Sequence, residues 1–110
     1  MDDEFRVTTR PTDSAELVVT VAGELDAATR HHLSDAIAAS ANGSRACVID
    51  LSEVTFMDAG GIRAILECRD WMQGRGGTVT LVGVVGEVER VLRLARLDGV
   101  LVARSRREFA

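Results

Sequence analysis

The stretch VIDLSEVTFMDAGGIRAIL, residues 48–66, runs from an apolar strand through a short polar loop into a helix, and it decides the fold. Val48, Ile49 and Leu51 form the nearly continuous β-branched and apolar run of a strand covered on both faces, a habit of central strands in α/β sheets. Asp50 is its one interruption. Asp58 follows Phe56 and Met57 and suits a helix N-cap, because its carboxylate can accept from a free first-turn amide. Gly61, Ile65, Cys68 and Met72 then recur at three- and four-residue spacing, so one face of this helix is apolar and lies on the sheet. The turn between strand and helix is thereby presented at a sheet edge, on the positive end of a helix dipole.

Working outward, residues 5–10 alternate weakly, and Pro11 marks an edge strand because it donates no ladder hydrogen bond. A turn over residues 12–15 leads to the strand LVVTVAG, residues 17–23. GELD then runs straight into a helical pattern in which Asp26 can cap and Leu33, Ala36, Ile37 and Ser40 share a face. Asn42 and Gly43 close that helix. Beyond the central helix, Gly74–Gly77 supply a turn and residues 78–82 a buried strand. Val88, Val91, Leu92 and Ala95 define a third helix ending near Asp98 and Gly99, and residues 100–103 a last short strand, with a frayed tail from Arg104. The order is ββαβαβαβ: one α/β domain over residues 1–110, with a mixed sheet.

Composition narrows the function. The 110 residues suit a single domain, and 46% apolar content with one proline indicates a packed core. No apolar run approaches the roughly 20 residues of a membrane span, and the acidic MDDEF start is unlike a secretory signal, so a cytoplasmic protein is expected. A net charge of −4 with interspersed arginines offers no basic face for nucleic acid. Cys47 and Cys68 lack metal-ligand spacing and read as buried thiols. His31 and His32, adjacent on a solvated helix, do not share a face for a metal. GxSxG, P-loop and GxGxxG motifs are missing, and the Gly83-x-x-Gly86 pair is too short a signal for an anion site. Neither a cofactor nor a metal is implied, and catalysis is not expected.

The acids are the chemistry that remains. Glu24 and Asp26 end one strand and Asp58 ends the next, at the edge where open α/β sheets commonly carry their function. Helix capping alone is the plainer role of both aspartates. Trp71 falls at the margin of the apolar stripe of its helix, so it either serves the core or anchors a partner beside the turn.

At GELDAAT, VIDLSEVTFMDAGGI and GGTVTLVG the chain closely resembles the STAS domains of bacterial anti-sigma-factor antagonists, in order and over nearly its whole length. The resemblance implies a STAS-like sheet with helices packed mainly on one side and a role in binding rather than catalysis. The implied partner is an anti-sigma factor that is a GHKL-type serine kinase, whose capture frees a sigma factor and so regulates transcription by partner switching. The implied partner-binding set is Glu24, Asp26, Asp58, Ala59, Gly60, Gly61 and Trp71. Phosphorylation of the family's D-[ST]-[ST]-G turn ends binding, but here those positions are Ala59 and Gly60, with Gly60 at the phosphoacceptor place. Ser52 and Thr55 lie just upstream as substitutes, with loop hydrogen bonding as their plainer role. Serine at position 60 is expected to fold well, since glycine is the poorer helix residue. The alternative is a STAS-type sensor or scaffold for an anion, nucleotide or lipid, held at the helix amides beside Ala59 and Gly60. A homodimer is compatible with either reading.

Overall fold

The computed structural model describes residues 4–97 and 99–102. Five strands, β1 (Arg6–Pro11), β2 (Glu16–Leu25), β3 (Ala46–Met57), β4 (Thr78–Val82) and β5 (Val100–Val102), lie side by side in chain order. β1 is antiparallel to β2, and all later pairs are parallel, so the sheet is mixed. Pro11 sits at the end of edge strand β1, where a missing N–H costs no ladder bond. The parallel steps pass through α1 (Arg30–Ser40), α2 (Ala59–Gln73) and α3 (Gly86–Ala95), giving ββαβαβαβ.

Alternation on the strands divides the sheet into two faces. Leu17, Val19 and Val21 of β2, Cys47 and Ile49 of β3, and Leu81 of β4 belong to one buried cluster. It takes in Leu33 and Ile37 of α1 and Ala64, Ile65, Cys68 and Met72 of α2, the stripe that helical periodicity predicts. α1 and α2 pack on each other over this face, and α3 packs against β3 through Val88 and Leu92. A fully buried Leu or Ile here contributes about 1.5–3 kcal/mol, so this cluster carries much of the stability. On the opposite face Val18, Val48 and Val82 are also buried, which accounts for the continuous apolar run of β3.

Three boundaries differ from the sequence expectation. The segment after Leu51 is not a loop: β3 continues to Met57, paired with a β2 that continues to Leu25. Two register shifts, between Thr20 and Ala22 and between Gly23 and Glu24, turn Val54 inward against simple alternation and then restore it, so that Met57 is inward as well. Gly23, at φ 95°, supplies backbone that a larger residue resists. α1 begins at Arg30, four residues after the expected cap. α3 stops at Ala95, where Arg96 turns left-handed at φ 54°. Asp98, and the chain from Ala103 onward, fall outside the described residues.

Candidate functional site

The register of β2 on β3 places Glu24 opposite Phe56 and Leu25 opposite Met57, so both strands release their turns at the same point. In the first turn the Asp26 carboxylate accepts from the amides of Ala28 (3.0 Å) and Thr29 (3.1 Å). The Thr29 hydroxyl accepts from the Asp26 amide at 3.0 Å, and its own proton reaches the Glu24 carbonyl (2.7 Å) or the Asp26 carboxylate (3.1 Å). Asp26 thus organises a turn ahead of α1 rather than capping the helix, and Thr29 takes the N-cap position. In the second turn Asp58 caps α2 as its sequence context predicts, its carboxylate accepting from Gly60 (2.8 Å) and Gly61 (3.3 Å).

The two turns are pressed together through glycine. A Cβ on Gly60 would meet the Ala27 amide nitrogen, with the Ala27 Cα at 2.6 Å and the Asp26 carbonyl carbon at 2.8 Å. One on Gly61 would meet the Leu25 carbonyl oxygen, with the Met57 Cγ at 2.6 Å. At Gly60 all three are backbone atoms, which cannot swing aside as a flexible side chain can, and at Gly61 the Leu25 carbonyl is backbone too. The expectation that serine fits at Gly60 is therefore overturned: glycine is required here by close approach, not tolerated in spite of helix propensity. An ion pair between Arg30 of α1 and Glu67 of α2 ties the helices just beyond the turns.

What this surface presents is acidic. Glu24, Asp58 and Ala59 are exposed, Asp26 and Gly60 are half-buried, and Gly61 is buried. Six of the seven residues singled out in the sequence therefore come together. Trp71 does not join them. It lies 13 residues beyond Asp58 along α2, about 20 Å at 1.5 Å per residue. Half-buried, it packs on the core and lines a cleft of about 220 Å³ with Ser34, Ile37, Glu67 and Cys68. The Arg75 guanidinium lies 4.4 Å from its ring centroid.

Phe56 is the residue that sequence reasoning passed over. It is 45% exposed on β3, across from Glu24 and two residues before Asp58. Its place on the open face follows from the continuation of β3 to Met57, a stretch that reads as a loop in the sequence. Ser52 and Thr55 are exposed on the same strand, upstream of the turn and not on it. His31 and His32 are exposed, with ring centroids 4.1 Å apart, and His32 leans toward Phe5. Cys47 and Cys68 are free and buried. Burial pushes the Cys47 thiol up to about 12, and burial, with smaller contributions from Cys47 and Glu67, raises that of Cys68. Neither is a nucleophile at neutral pH. Among the described residues no cluster could hold a metal ion, and no helix is long and apolar enough to cross a membrane.

Residues 8–103 match the family model described as Mlab, STAS domain, and the chain belongs to the STAS family. A STAS-domain-containing protein of Pseudomonas aeruginosa (strain UCBPP-PA14) is 26% identical over 86 residues, covering 78% of this chain and 85% of the relative. An anti-sigma factor antagonist from Mycobacterium paratuberculosis is 28% identical with a TM-score of 0.76, covering 92% of this chain and 88% of that one. The fold is also that of a putative anti-sigma factor antagonist from Thermotoga maritima, at 23% identity and a TM-score of 0.82, covering 94% of this chain and 90% of that one. The architecture is accordingly that of the anti-sigma factor antagonists.

Proposed function

We propose that this chain is a non-enzymatic binding protein of the antagonist type. It captures a cytoplasmic anti-sigma factor of the GHKL serine-kinase class with its paired β2–α1 and β3–α2 turns, and so frees a sigma factor. The observation that carries this reading is the fusion of the two turns, backbone against backbone at Gly60, into one exposed acidic surface. Asp26 and Asp58 are each oriented by two backbone amides that donate to their carboxylates, so the surface is formed before a partner arrives and loses little entropy on binding. With Gly60 at the phosphoacceptor place and Ala59 before it, a kinase finds no hydroxyl in the turn. Binding is then set by partner availability rather than by phosphate.

The small-ligand alternative draws less support. Its anion would need the first amides of α2, and the Gly60 and Gly61 amides are already engaged by the Asp58 carboxylate. The test is a titration of the chain with purified GHKL-type anti-sigma factors of the same genome, with and without ATP, followed by mass spectrometry. A complex that persists in ATP, with no phosphate gained, is the expected result. Phosphate at Ser52 or Thr55 with loss of the complex would overturn the unswitched form of the reading. Absence of any complex would overturn the antagonist form altogether.

A further inference from the structure

Leu25 and Met57, paired across β2 and β3, both belong to the core beneath α1 and α2. Side chains alternate along a strand, and cross-strand partners share a face. Glu24 and Phe56, the preceding pair, therefore stand on the face away from those helices, where Phe56 is 45% exposed. The same face carries the pair Ala22 and Glu53, with Arg6 opposite Ala22. Arg6 and Glu53 approach only to 3.9 Å with both side chains 58% exposed, a loose contact that leaves both charges hydrated. Near Phe56 the strand register thus places Glu24 across from it and Glu53 on the same face beside Arg6, with Asp58 two residues further along the chain. The Glu24 carboxylate has no hydrogen bond or ion pair to another described residue.

An exposed aromatic ring inside an acidic rim has the anatomy of an interface centre, with an apolar anchor surrounded by polar groups that exclude water. The geometry points to Phe56 as the anchor of the partner surface, seated in an apolar hollow of the anti-sigma factor that is ringed by arginine or lysine. This rests on the proposed function and extends its surface from the two turns around the edge of the sheet to the face opposite the helices. Charge complementarity selects this occupant: a second copy of the chain would bring the same three carboxylates against their own kind, a repulsive arrangement. Among the described residues the other exposed large apolar side chains, Val85, Leu94 and Val102, belong to α3, its N-cap and β5, away from the paired turns.

The experiment measures the affinity of purified GHKL-type anti-sigma factors of the same genome for the parent chain, Phe56→Ala, Phe56→Leu and Glu24→Lys. Phe56→Ala should raise Kd by at least about tenfold, the range of an interface hot spot. Phe56→Leu should recover most of the affinity, and Glu24→Lys should slow association and flatten its salt dependence. Melting curves should be nearly unchanged for all three, since the side chains are exposed. A parent that binds while Phe56→Ala binds equally well would overturn this inference and leave the proposed function standing. A parent that binds none of the anti-sigma factors would overturn both. Sedimentation showing a parent dimer that Phe56→Ala dissolves would make a second copy the occupant and likewise overturn it.

Discussion

Gly60 at the start of α2 and Ala27 in the turn before α1 meet backbone to backbone, leaving no volume for a side chain between them. A Cβ at position 60 would have to displace the Ala27 backbone, and with it the hydrogen bonds by which Asp26 orders that turn. Overpacking against atoms that cannot rotate away costs about 1–3 kcal/mol. Gly60→Ala and Gly60→Ser should therefore each lower the melting temperature by several degrees or more, whereas Ala59→Ser, at an exposed neighbour, should stay within about 0.5 kcal/mol of the parent. Thermal unfolding of the three variants checks this, and equal stability of Gly60→Ser and the parent would show that the two turns are not locked.

The same contact shows where sequence reading succeeds and where it stops. The Asp58 cap was legible because capping depends on residues two and three positions away in the chain. The stripe of Ile65, Cys68 and Met72 was legible because helical period is local too. The length of β3 was not: Ser52, Glu53 and Thr55 have the composition of a loop, and they stay in the strand only because β2 runs beside them through two register shifts. Asp26 reads in the sequence as the cap of α1, whereas it lies a full turn ahead of that helix and Thr29 holds the N-cap position. The requirement for glycine at position 60 is tertiary, set by a segment more than thirty residues earlier, so local propensity pointed the other way. The acids and glycines of the site could be named from the sequence, whereas Phe56 and the separation of Trp71 required the fold.

At Asp58 the carboxylate holds the two amides of Gly60 and Gly61. Asp58→Ala should cost about 1 kcal/mol, and Asp58→Asn only a few tenths, because asparagine caps nearly as well. Comparing the affinity of Asp58→Asn with that of the parent then isolates the charge. An unchanged affinity, measured by titration calorimetry, would assign Asp58 to the scaffold alone.

The two thiols provide a pH signature. The chain has neither lysine nor tyrosine, so Cys47 and Cys68 are the only side chains that titrate between roughly pH 9 and 12. Both are raised by burial, Cys47 from 9.0 to about 12, so the unfolded chain loses these protons before the folded one does. Their contribution is fully present below pH 9 and is lost as pH rises toward the folded values. Stability at pH 10.5 should fall below that at pH 8 by on the order of 1–2 kcal/mol per thiol. Chemical denaturation at the two pH values measures it, and iodoacetamide at pH 8 should modify the unfolded chain much faster than the native one. A flat profile would mean that the thiols are not held in a dry core.

Trp71 separates the core from the binding surface. Its ring packs on the cluster between α1 and α2 beneath the Arg75 guanidinium, and it lies about 20 Å along α2 from Asp58. Truncating a fully buried tryptophan costs about 3–5 kcal/mol, and half-burial should bring Trp71→Ala to about 1–3 kcal/mol. Removing the cation with Arg75→Ala should cost about 0.5–1 kcal/mol, the value of an exposed cation–π contact, and should change the emission of the single tryptophan. Both variants should bind an anti-sigma factor with parental affinity at a temperature where they remain folded. A Trp71→Ala protein that melts like the parent and binds more than tenfold more weakly would place the interface along the length of α2 and remove the paired turns from its centre.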